Sequence, residues 1–131
     1  MTGITQTNQS TGIQRTAVPL RVPQLVAAIP QLADSIGHFA AAREWVPYHT
    51  PRNLVLALLG EAGELAELVQ WCGDDDDDGE DNDEPKPRLP SSVSLDKLAQ
   101  ELADVAIYLL RLATVTDTVS QLCETLQEYD D

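Results

Sequence analysis

Aromatic residues, cysteine and positive charge are all scarce in this chain, and each shortage narrows what it can be. One Phe, two Trp and three Tyr leave a core to be built from Leu, Val, Ile and Ala, so each Trp calls for its own explanation. Cys72 and Cys123 are the only cysteines. They form neither a C-x-x-C pair nor a disulfide framework, which suits a reducing compartment; the expected location is the cytoplasm. Eight Lys and Arg against 22 Asp and Glu form no basic stripe, which argues against duplex nucleic acid as a partner. No apolar run approaches membrane-spanning length, so no membrane partner is expected.

The net charge of −14 is concentrated in one place. Residues 74–84 read DDDDDGEDNDE and hold nine of the acids; the remainder carries 13 acids and eight bases, or −5. Asp74, Asp76, Asp78 and Gly79 imitate the start of a calcium loop, but Pro85 stands where the bidentate Glu is needed. A solvated, self-repelling loop is the better reading. Residues 1–33 lack Asp and Glu and are rich in Thr, Ser and Gln. A transit peptide shares that bias, but Arg15 and Arg21 are its only bases, so organellar targeting is the weaker reading and a polar tail the stronger. The expected organisation is a disordered tail over 1–21 and a helical domain over 22–131, with a flexible acidic loop at 73–93.

No segment of strand length alternates polar and apolar residues. Helical signals recur instead, and the expected fold is an all-α bundle of four helices. Pro30 suits the first turn of a helix running to about Glu44, with Leu32, Ile36 and Phe39 as its core stripe. Thr50 and Pro51 form an N-cap and first helical residue for a second helix running to about Trp71, with Gly73 as its stop. Ser94 caps a third over about Leu95 to Ala113. Asp117 caps a fourth, with Val119, Leu122, Leu126 and Tyr129 on one side.

Two carboxylate pairs, Glu61/Glu64 and Glu101/Asp104, are each spaced i, i+3 within a helical stretch and so share a helix face. On a helical wheel Glu61 falls among Leu54, Leu58, Leu65 and Leu68, inside the apolar stripe. Glu64 lies on its margin. In the third helix Lys97, Glu101, Asp104, Tyr108 and Arg111 form a single polar row on an otherwise largely apolar circumference, which points that row into a site or an interface. Four unpaired carboxylates cannot share a partly dry interior. A hard divalent cation such as Mg²⁺ resolves the conflict, and metal-assisted phosphate chemistry is the leading expectation. Glu64 is the candidate to orient or deprotonate an attacking water.

The segments FAAAREW (39–45), HTPRNLVLALLGEAGELAELVQW (49–71) and ELADVAIYL (101–109) together give the chain a likeness. It resembles the MazG-like, all-α nucleoside triphosphate pyrophosphatases, and within them the dCTP pyrophosphatase branch. The resemblance implies hydrolysis between the α and β phosphates, giving monophosphate and pyrophosphate. It implies Mg²⁺ ligation by Glu61, Glu64, Glu101 and Asp104, and a base pocket at Trp45 and Trp71 with Tyr108 nearby. His49 and Asn53 match the start of the family's second helix and join the substrate-binding set. It further implies a homodimer or homotetramer. Three features depart from the pattern: Ile36 stands where the family usually has His, the closing stretch CETLQEYDD lacks the Lys and Asn that reach the triphosphate, and the acidic loop over 65–100 between the acid pairs is longer than usual. Arg111, on the acidic row, is a candidate to take over part of that phosphate binding, or else pairs with Glu101 or Asp104. A helical scaffold that binds nucleotide or a protein without turnover is the alternative function.

Overall fold

The computed structural model describes residues 21–71, 89 and 92–130. The expected tail (but for Arg21) and most of the acidic loop lie outside these residues. The described residues form four α-helices and no strand: α1 (Val22–Ala42), α2 (Pro51–Glu67), α3 (Leu95–Val115) and α4 (Val119–Gln127). Short 3-10 turns occupy Val46–Tyr48 and Glu128–Asp130. Helix α3 packs against all three others, and α1 also packs against α4. None of these helices is long and apolar enough to cross a membrane.

The first helix begins eight residues before Pro30. Arg21 is its N-cap, with its backbone N–H donating to the Gln24 side chain at 3.1 Å, and Pro23 sits in the first turn where its missing N–H costs nothing. Pro30 is therefore internal, and it cannot donate to the carbonyl of Val26. The Cys123 thiol of α4 supplies a weak substitute, with Sγ 3.9 Å from that oxygen.

The buried face of α1 is also rotated from the expected one. Val26, Ala33 and Ala40 are buried, whereas Leu32 and Phe39 are half exposed. Size explains the choice: Ala33, Gly37 and Ala40 let a neighbouring element approach closely, which larger side chains would prevent. A Cβ on Gly37 would stand 3.4 Å from Nη1 of Arg111 on α3.

Helix α2 starts as the sequence indicates, with Thr50 Oγ1 accepting from the Asn53 N–H at 3.2 Å. It ends at Glu67 rather than Trp71, and the chain continues in turns through Trp71. Ser94 caps α3 by accepting from Lys97 N–H at 3.3 Å. The N-cap of α4 is Thr118, not Asp117. Asp117 has instead a left-handed backbone, φ 55°, and closes α3. Its N–H donates to Thr114 O, and that of Thr118 to Ala113 O, at 3.2 and 2.9 Å. Glu44, φ 57°, closes α1 in the same way: its N–H donates to Ala41 O and that of Trp45 to Ala40 O, each at 3.0 Å. This paired closure normally uses glycine, because a Cβ opposes the left-handed conformation. In α4, Val119, Leu122 and Leu126 are half-buried as expected, but Tyr129 is exposed.

Candidate metal centre and aromatic wall

Helical spacing assembles the acidic end. On α2 the Leu54, Leu58, Leu65 and Leu68 stripe is buried or half-buried and carries Glu61 inward with it. On α3 the inward row holds Glu101, only 3 % exposed, and Arg111, 7 % exposed. Carboxylate oxygens of Glu61, Glu101 and Asp104 lie within 4.8 Å of one another. Glu64 is exposed and outside that trio, though near enough for its charge to act on Glu61.

The electrostatics of the cluster are those of like charges held close together. Burial first, then the charges of Glu64, Asp104 and Glu101, push the Glu61 carboxyl above its ordinary 4.5. Lys97 opposes this: its Nζ is 2.5 Å from Glu101 Oε1, one helical turn away. That hydrogen bond, and the Glu101 charge with it, raises the Lys97 pKa. One ammonium against a cluster of carboxylates leaves the site net negative. An all-oxygen donor set of this kind suits Mg²⁺ or a similar hard ion.

The second half of the site has different architecture. The left-handed closure at Glu44 turns the chain so that Trp45 lies edge-on to Phe39, ring centroids 5.7 Å apart. The Arg43 guanidinium sits over the Phe39 ring at 3.3 Å. The 3-10 turn then brings His49 to 6.3 Å from the Trp45 ring. Asn53 holds this turn from α2, its Nδ2 donating to Tyr48 O at 3.0 Å. Arg111 reaches across from α3 and donates from Nε to His49 Nδ1 at 3.0 Å. Burial and the Arg111 charge together hold the His49 pKa below its ordinary 6.5.

The sequence-derived residues thus divide. Glu61, Glu101 and Asp104 converge, with Glu64 at their margin. Trp45, His49 and Arg111 form a second connected group, and Asn53 fastens it. Tyr108 is half-buried on the same row of α3, between Asp104 and Arg111. Trp71 is 89 % exposed, and the ring pairs of the wall do not include it. Arg111 pairs with neither Glu101 nor Asp104; its described hydrogen-bond partner is His49. Sequence reasoning gave no role to Lys97, although it stood one turn before Glu101 on the polar row. It also missed Phe39 and Arg43 as parts of the wall, for which the i, i+4 spacing was the available signal.

No protein-family model matches the chain. Over 75 residues, 57 % of its length, it is 49 % identical to dCTP pyrophosphatase 1 of Bos taurus and 51 % identical to that of Homo sapiens and of Rattus norvegicus. Over those 75 residues the chain is similar to dCTP pyrophosphatase 1. The match agrees with the MazG-like resemblance read from the sequence. It covers 39–40 % of those proteins, so the chain spans about two fifths of the length of the curated relatives it matches.

Proposed function

We propose that the chain is a Mg²⁺-dependent nucleoside triphosphate pyrophosphatase, acting on dCTP or a modified pyrimidine analogue and releasing monophosphate and pyrophosphate. The observation that carries this reading is the convergence of Glu61 from α2 with Glu101 and Asp104 from α3 within 4.8 Å. The homology names the substrate class.

Glu61, Glu101 and Asp104 would hold the ion, with Glu64 at the rim. When bound, Mg²⁺ supplies a Lewis acid for phosphate oxygens and neutralises charge in the transition state. The chain supplies the rest. Glu64 is open to solvent and accepts the proton of the attacking water; the anhydride bond breaks and pyrophosphate leaves with its electron pair. The ammonium of Lys97, half exposed, remains beside the site to meet a phosphate oxygen. Trp45 offers a stacking face to the base.

The reading includes a homo-oligomer. Leu56 and Leu59 on α2 and Leu102, Ile107 and Leu109 on α3 are 41–63 % exposed. A second copy of the chain covering them fits their apolar character better than water does. Light scattering after gel filtration would read a dimer or tetramer; a monomer at micromolar concentration contradicts this part.

The activity test is pyrophosphate release over a panel of nucleoside and deoxynucleoside triphosphates, with Mg²⁺ and with chelator. Release from dCTP that requires Mg²⁺ is expected. No release from any member would overturn the reading in favour of a non-catalytic nucleotide-binding scaffold.

A further inference from the structure

Arg111 was a candidate phosphate ligand by its place on the acidic row, yet its guanidinium is committed elsewhere. Nε donates to Nδ1 of His49, 62 residues away in sequence, and the residue is 7 % exposed. Its Nη1 lies against α1 at Gly37, 3.4 Å from where a Cβ would stand. A guanidinium can only donate. Nδ1 of His49 must therefore present its lone pair, which leaves the proton of the neutral ring on Nε2. His49 is half-buried, and Nε2 has no protein hydrogen-bond partner among the described residues. No buried side-chain nitrogen or oxygen among them lacks a partner, so Nε2 opens to solvent. It does so beside the Trp45 ring, at 6.3 Å between centroids.

We infer that Arg111 is a positioning residue: it locks His49 as the Nε2–H tautomer and so presents one uncharged N–H donor, next to the Trp45 stacking face, to a carbonyl or ring-nitrogen acceptor of the nucleobase. The inference rests on the nucleotide reading of the site. A second proton on the imidazole would sever the Arg111 bond and set two cations side by side, so the donor stays neutral. The depressed pKa of His49, caused by burial and by Arg111, agrees with this. An uncharged donor suits the neutral acceptors of a base and leaves the triphosphate to the metal end. Arg111 then serves the nucleotide through His49 and does not itself grip phosphate.

The test begins with the free protein, where activity plays no part. Two-dimensional ¹H–¹⁵N spectra of ring-labelled protein should show His49 as the Nε2–H tautomer alone. Arg111→Met should convert it to a tautomer mixture, and Arg111→Lys, whose ammonium can still donate to Nδ1, should restore it. With dCTP and Mg²⁺, Arg111→Met should raise KM by about tenfold, the worth of one hydrogen bond, and lower kcat by less. His49→Leu should raise KM similarly. His49→Gln should recover most of that loss, since its amide can accept from Arg111 and donate outward at once. If Arg111→Met does not fold, the His49→Leu and His49→Gln pair decides. A folded Arg111→Met protein whose His49 keeps the Nε2–H form overturns the inference, as does a His49→Leu KM equal to wild type. Absence of turnover in the wild type would instead defeat the nucleotide reading, and the tautomer spectra would still decide the role of Arg111.

Discussion

The two halves of the site are built on opposite plans. The acidic end takes its carboxylates from the regular interiors of α2 and α3, where helical spacing alone sets their positions, and Lys97 offsets only part of their negative charge. The aromatic end is built at chain reversals: a left-handed residue at Glu44, a 3-10 turn over Val46–Tyr48, and one long side chain, Arg111, crossing from α3. Arg111 and Asn53 are already tied into it by hydrogen bonds to His49 Nδ1 and Tyr48 O, while His49 Nε2 stays open. The acidic end is therefore a cluster of like charges set by helix geometry, and the aromatic end a wall that is formed beforehand. A ligand that spans both would meet carboxylates at one end and a preformed aromatic wall at the other.

The largest predicted effect belongs to the acidic end. Glu101→Gln should lower kcat/KM for dCTP by about a thousandfold, the scale of losing one preorganised electrostatic element at a reacting centre. Activity within tenfold of wild type would remove the metal assignment. At the aromatic end Trp45→Ala should act mainly through KM, by about 1–3 kcal/mol of lost stacking. A pure kcat defect would mean that Trp45 belongs to the chemistry and would erase the division between the halves.

Sequence legibility follows the same division. Thr50, Ser94 and the leucine stripe of α2 were readable because caps and periodicity are local, and Glu61, Glu101 and Asp104 rode on them. The start of α1 was misplaced because Pro30 is tolerated inside the helix, a matter of what lies opposite Val26 O. Its face was misjudged because close packing favoured Ala33, Gly37 and Ala40 over the larger Leu32 and Phe39. Asp117 looked like a cap by residue type, yet it adopts the left-handed conformation that closes α3. The bond from Arg111 to His49 joins distant segments, and no spacing rule announces it.

A smaller effect tests the strain that forms the wall. Glu44→Gly relieves a left-handed Cβ and should stabilise the protein by about 1 kcal/mol in urea unfolding. The aromatic contacts that follow Glu44 should survive, because the closure at Trp45 N–H is unchanged. No stabilisation would show that the turn carries little strain.

The smallest effects are in the pH dependence of stability, and the two ends have opposite signs. The raised pKa of Glu61 means that its folded form holds a proton more tightly than the unfolded chain. Its contribution is present below 4.5 and is lost as pH rises through the elevated value. The lowered pKa of His49 works the other way: its contribution is present above 6.5 and is lost as pH falls through the depressed value. Without metal, Glu61→Gln should flatten the first limb and His49→Gln the second, read as melting temperature against pH. Limbs of the same sign would contradict the contrast between the ends.

The most direct measurement is Mn²⁺ titration of the metal-free protein, following the free ion by electron paramagnetic resonance, for wild type, Glu61→Gln and Trp45→Ala. The account predicts saturable binding in wild type and Trp45→Ala and its loss, by at least about tenfold in affinity, in Glu61→Gln. Equal binding by wild type and Glu61→Gln would contradict it.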